Sequence, residues 1–79
     1  MFEKTIMLKS FEEVKGFVDI ACSKDYDIEL ISGKYVVNAK SIMGVFSLDL
    51  TKPLVVVAHC ESSAEFARQM EQFAKEHKR

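Results

Sequence analysis

Asn38-Ala39-Lys40-Ser41-Ile42-Met43-Gly44-Val45-Phe46-Ser47-Leu48 is the stretch that decides the fold. A serine oxygen can accept a backbone N–H from the first turn of a helix, so a short helix is expected from Ser41 to about Leu48. Its apolar residues Ile42, Met43, Val45, Phe46 and Leu48 are too dense for so few turns to cover. Val45 and Leu48 are expected inside, with Ile42 and Met43 partly exposed. Before the stretch, Tyr26, Ile28 and Leu30 alternate with Asp27 and Glu29, and Ser32-Gly33-Lys34 supplies a tight turn into Tyr35-Val36-Val37-Asn38-Ala39. That is a β-hairpin. After it, Pro53 ends a loop and Leu54-Val55-Val56-Val57-Ala58-His59-Cys60 is the strongest strand signal in the chain. Alternation divides Leu54, Val56, Ala58 and Cys60 from Val55, Val57 and His59, so the outer face of this strand is expected to show two valines and to offer a weak self-association surface.

Working outward, Phe2, Lys4, Ile6 and Leu8 alternate with Glu3, Thr5 and Met7, which reads as a first strand. Ser10-Phe11-Glu12-Glu13 matches a capping box: the serine caps the helix start and the glutamate reaches back. The helix it opens carries Phe11, Val14, Phe17, Val18, Ala21 and Cys22 on one stripe and Glu12, Glu13, Lys15 and Asp19 opposite, with Gly16 costing about 1 kcal/mol relative to alanine. Ser62 to Glu65 is a second capping box, followed by a stripe of Phe66, Ala67, Met70, Phe73 and Ala74. Lys75, His77, Lys78 and Arg79 suit the C-terminus of that last helix, where the helix dipole favours cations. The order β-α-β-β-α-β-α predicts an α+β fold, one mostly antiparallel sheet of four strands with three helices on one face.

The chain has 79 residues, 48% of them apolar, which is enough for one compact domain and too few for two. Eleven Lys and Arg against twelve Asp and Glu leave a formal charge of −1, so no global field draws the chain to nucleic acid or an anionic membrane. The longest apolar run, Leu54 to Ala58, is far short of the ~20 residues that span a bilayer. Met1-Phe2-Glu3-Lys4 does not read as a secretory leader, so the expected setting is the reducing cytoplasm, with Cys22 and Cys60 as buried free thiols. No set of residues suggests a cofactor, a metal or an enzymatic centre.

The segment from Asn38 to Leu48 resembles the regulatory-serine region of the HPr family, the phosphocarriers of the bacterial sugar phosphotransferase system, including the catabolite-regulator branch Crh. The hairpin turn before it, the valine-rich strand after it and the last amphipathic helix fall at HPr-like distances. The resemblance spans nearly the whole chain and implies an HPr-like open-faced β-sandwich. It weakens at the front, where the family carries Gly-Ile/Val/Leu-His-Ala-Arg-Pro-Ala at the start of its first helix and a histidine nitrogen accepts phosphate. Counting back without gaps places Ser10 at the histidine, Phe11 at the alanine, Glu12 at the arginine and Glu13 at the proline, and the preceding loop is about five residues shorter.

The expected consequence is loss of phosphoryl transfer, because a group bringing roughly −2 charge would sit beside two carboxylates. A serine ester at Ser10 lacks the high-energy N–P bond that passes phosphate onward. His59 stands on a strand with no arginine or helix start near it in sequence, and His77 is expected to be a solvated surface residue. Ser41 differs. The resemblance implies that an HPr kinase/phosphatase reads the residues around it, and a phosphate there would meet the positive end of the short helix with Lys40 adjacent. Ile42, Met43 and Phe46, with Lys40, resemble the patch by which the family docks partners, among them a catabolite-control repressor. The expected function is a non-transferring regulatory or protein-binding module, with Ser41 as its candidate switch. A degenerate structural or self-associating domain is the alternative, and an active phosphocarrier a third reading that the missing histidine disfavours.

Overall fold

The chain runs through β1 (Phe2–Ile6), α1 (Phe11–Cys22), β2 (Ile28–Ser32), β3 (Tyr35–Asn38), α2 (Ile42–Phe46), β4 (Leu54–Ala58), α3 (Ala64–Met70) and a 3-10 turn (Glu71–Phe73). The structure, a computed structural model, describes residues 1–60 and 64–74. The strands form one four-stranded sheet in the order β1-β4-β2-β3, with every neighbouring pair antiparallel. The expected α+β open-faced sandwich is the fold observed.

Register explains how the core closes. Lys4, Val56, Leu30 and Val37 lie in one row across all four strands, and Phe2, Ala58 and Ile28 form the next. Onto this face pack Val14, Phe17, Val18 and Ala21 of α1, Val45 of α2, and Phe66, Met70 and Phe73 from the end of the chain. Aromatic rings meet edge to face within it: Phe66 with Phe2 at 5.5 Å, Phe17 with Phe73 at 6.0 Å. This geometry suits the negative face and positive edge of aromatic rings.

Local chemistry shapes the connections. Gly33 takes φ 58° while Lys34 stays out of the left-handed region, the glycine-first pattern of a type II′ hairpin turn. At Gly44 a Cβ would stand 3.3 Å from the Ser41 Oγ and 3.5 Å from the Val37 Cβ, so the missing side chain lets α2 lie close against β3.

The structure corrects several expectations. Val57 does not lie open on the outer face: it is 5% exposed, with Glu3 and Glu29 as its cross-strand neighbours on either side. Long acidic side chains can cover apolar surface with their stems, and β4 is an interior strand. Phe11 and Cys22 are exposed although they belong to the apolar stripe of α1. At about 100° per residue they lie roughly 70° and 90° from the centre of the buried set, on one flank. Both cysteines are free, but Cys22 is exposed and Cys60 half-buried, so neither is the buried thiol expected. β1 ends at Ile6 and β4 at Ala58, each shorter than its apolar pattern. The last α-helix stops at Met70. The 3-10 turn then redirects the chain so that Phe73 is buried, its carbonyl accepts from the Met7 N–H at 2.8 Å and Ala74 bridges Ile6. The Ser62 cap and the basic residues from Lys75 to Arg79 lie outside the described residues.

Three substitutions check these assignments. Phe17→Ala should cost about 3–5 kcal/mol in urea unfolding, whereas Phe11→Ala should cost under about 1.5 kcal/mol. Gly16 is helical and a Cβ there meets nothing within 4 Å, so Gly16→Ala should stabilise the domain by about 0.5–1 kcal/mol.

Candidate functional site

α1 and α2 stand side by side, with Phe11 at the start of α1 against Phe46 at the end of α2 and Cys22 at the end of α1 against Lys40, just before α2. Ser10 has extended backbone angles, φ −144° and ψ 163°, and its Oγ accepts from the Glu13 N–H at 3.1 Å. The return bond goes one residue further out than a capping box places it: the Glu13 carboxylate accepts from the Lys9 N–H at 2.7 Å. Ser10 and Glu13 therefore both serve the helix start, and Glu12 adds a second carboxylate to the first turn. A shallow depression of about 260 Å³ beside them is lined by Leu8, Lys9, Ser10, Phe11, Phe46 and Leu50 among others, with no histidine or arginine.

Ser41 caps α2 in the same manner, its Oγ accepting from the Gly44 N–H at 3.1 Å. The helix ends at Phe46, shorter than expected, with Val45 buried and Leu48 only half-buried against the core. Ile42 is half-buried, Met43 is 77% exposed and Phe46 39% exposed. One turn and a half of helix can present only one residue squarely to the core, so the rest of its apolar surface stays outside.

Phe11 joins that surface. Its ring stacks on Phe46 with centroids 5.5 Å apart and planes 13° from parallel, and it is itself 61% exposed. Sequence reasoning placed Phe11 in the buried stripe. Its position on the flank of that stripe, shared with Cys22, was the available signal. The same flank meets α2 along its length, since the Cys22 Sγ lies 3.5 Å from the Lys40 carbonyl oxygen.

Lys40 does not lie where the sequence suggests. Its ammonium donates to the Lys24 carbonyl at 2.9 Å, and its backbone N–H donates to the Asn38 Oδ1 at 2.9 Å, so its charge is directed away from Ser41 and toward the loop after α1. His59 follows β4 on the open side of the sheet, its Nε2 3.3 Å from the Glu29 Oε1 and its backbone N–H bonded to the Asp27 carbonyl at 2.8 Å. Among the described residues no group of three His, Cys, Asp or Glu side chains could hold a metal ion. None of the described helices is long and apolar enough to cross a membrane.

The arrangement offers an exposed aromatic and thioether surface, a capped serine beside it and an acidic helix start. Since Ser10 holds one amide that would otherwise be unpaired, Ser10→Ala should lower stability by about 1 kcal/mol in chemical denaturation and leave the Phe11–Phe46 contact intact.

No protein-family model and no curated protein matches the chain. Among solved structures, HPr-C-His from Thermoanaerobacter tengcongensis is similar, with a TM-score of 0.76 and 26% identity over 91% of this chain and 89% of that one. The fold is thus HPr-like over nearly the full length of both chains.

Proposed function

We propose that this HPr-fold chain is a regulatory, protein-binding module that docks partners through Met43, Phe46, Phe11 and Ile42 and does not relay phosphate from the start of α1. The observation that carries this reading is the composition of that helix start. Ser10 and Glu13 are committed to capping, Glu12 and Glu13 are acidic, and the adjoining depression, whose one cation is Lys9, holds no histidine to accept a phosphoryl group. Counted back without gaps from the Ser41 segment, Ser10, Glu12 and Glu13 fall where the phosphocarrier pattern has histidine, arginine and proline. The chain acts without a cofactor and without catalysing a reaction, in the cytoplasm of a bacterium.

Ser41 is the candidate switch. Its side chain lies at the edge of the apolar surface, where phosphorylation would add about −2 charge beside Ile42 and Met43. The phosphate oxygens would compete with the Lys24 carbonyl for the Lys40 ammonium, so modification would also loosen the tie between α2 and the loop after α1. The partners in this reading are an HPr kinase/phosphatase and a transcriptional regulator. Burial of Val57 leaves the alternative of self-association through the open face with less apolar surface than the sequence suggested.

Parallel incubation with enzyme I and phosphoenolpyruvate, and with HPr kinase and ATP, followed by mass spectrometry, tests the reading. The expected result is no label on any histidine and a single label on Ser41. Phosphohistidine would overturn the proposal, and absence of label from both reactions would remove the switch. Ser41→Asp should change affinity for the regulator while the fold persists, and Phe46→Ala or Met43→Ala should weaken docking by about 2 kcal/mol.

A further inference from the structure

The two edges of the sheet are finished differently. At β1 the chain returns to close the edge, with Ala74 bridging Ile6 and the Met7 N–H bonded to the Phe73 carbonyl. At β3 no described residue does the same. The Ala39 N–H donates to the Ile28 carbonyl at 2.9 Å, and the alternation of an antiparallel ladder from that bond turns the N–H and C=O of Val36 and Asn38 away from β2. The Asn38 carbonyl is taken by the Ser41 N–H at 3.0 Å. The N–H and C=O of Val36 and the N–H of Asn38 remain outward. Tyr35–Asn38 contains no charge and no proline, the usual means of blunting an edge, and Tyr35 and Val36 are 70% and 55% exposed.

Beside this edge a cleft of about 1010 Å³ separates the hairpin from the segment between α2 and β4. Tyr35, Val37, Leu48 and Pro53 supply its apolar lining, and Lys34 and Lys52 stand on its rim. Neither lysine makes an ion pair among the described residues. Asp49, on the same rim, is already engaged: its Oδ1 accepts from the Thr51 hydroxyl at 2.6 Å and the Thr51 N–H at 3.1 Å, and these bonds, with a smaller contribution from the charge of Lys52, hold its carboxyl below the usual range.

We propose that the β3 edge and its cleft are a docking site for an extended, acidic segment of another protein, which adds to the sheet as a further strand. The outward backbone groups of Val36 and Asn38 supply the ladder bonds, the cleft takes alternate apolar side chains, and Lys34 and Lys52 select the acidic residue. A second copy of this chain is the poorer occupant. Its own Tyr35–Asn38 edge carries no carboxylate to meet Lys34 and Lys52. The site shares no residue with the Phe11, Ile42, Met43 and Phe46 surface, so it stands or falls independently of the function proposed above.

The test is selection of a random linear octapeptide library, displayed on phage, against the intact protein, followed by synthesis of the enriched peptides. The expected peptides alternate apolar residues and carry an aspartate or glutamate. At saturation they should slow hydrogen exchange of the Val36 and Asn38 amides by at least about tenfold. Val36→Pro, which removes an outward N–H from an edge strand, should abolish binding. The double variant Lys34→Glu/Lys52→Glu should weaken it about tenfold or more, a loss of about 1.4 kcal/mol. Should Val36→Pro not fold, peptides methylated at alternate backbone nitrogens replace it, and these should not bind. Failure to enrich any peptide would overturn the proposal. So would peptides that bind the lysine variant undiminished, peptides that perturb only the Phe11–Phe46 surface, or concentration-dependent protection of Val36 in the protein alone.

Discussion

β4 has a hydrogen-bonded partner on each side, and the rest of the molecule is arranged around that constraint. Leu54 pairs with Ile6 at one end of the strand and Ala58 with both Phe2 and Ile28 at the other. The first and last strands thereby become neighbours, while the hairpin formed by β2 and β3 is carried on the opposite flank of β4. A continuous run of apolar residues suits this place because both faces are covered: helices lie over Leu54, Val56 and Ala58, and long side chains flank Val57. With β4 inside the sheet, α1 and α3 share one core over it. The sheet is therefore assembled from contacts distant in sequence, and its stability is not divisible into independent local pieces.

The short helix α2 follows from the same geometry. It crosses close to β3, where Gly44 leaves room for the Val37 side chain, and buries Val45. Five helical residues cannot turn Ile42, Met43, Val45 and Phe46 all to one side. The excess apolar surface is held in place by α1, whose first residue stacks on Phe46. An exposed patch on so small a domain is thus the consequence of a short element with a dense apolar sequence, and the adjacent Ser41 cap puts a hydroxyl at its margin.

At the start of α1, side-chain oxygens take backbone amides of the helix start and of the residue before its cap. Ser10 and Glu13 have committed two amides to side-chain oxygens, and the acidic first turn opposes a further anion. The commitment is legible in the sequence as Ser10-Phe11-Glu12-Glu13. The partner of the Glu13 carboxylate is not, because the Lys9 amide comes within reach only through the path of the chain between β1 and α1.

The sequence by itself determined what local periodicity and turn chemistry control: the order of strands and helices, the hairpin at Gly33, both serine caps at Ser10 and Ser41, and the surplus of apolar residues in α2. Resemblance at Asn38 to Leu48 added the HPr-like architecture that the fold bears out. Tertiary structure decided which apolar side chains meet water, since periodicity assigns a face and not what covers it. Phe11 and Cys22 fall on a flank that looks to α2 instead of the sheet, Val57 is covered because β4 is interior, and the Lys40 ammonium is taken by a carbonyl 16 residues before it. The last helix ends at Met70 for a related reason. Burying Phe73 and closing the edge of β1 requires the chain to leave its helical path, a requirement set by β1 at the other end of the sequence.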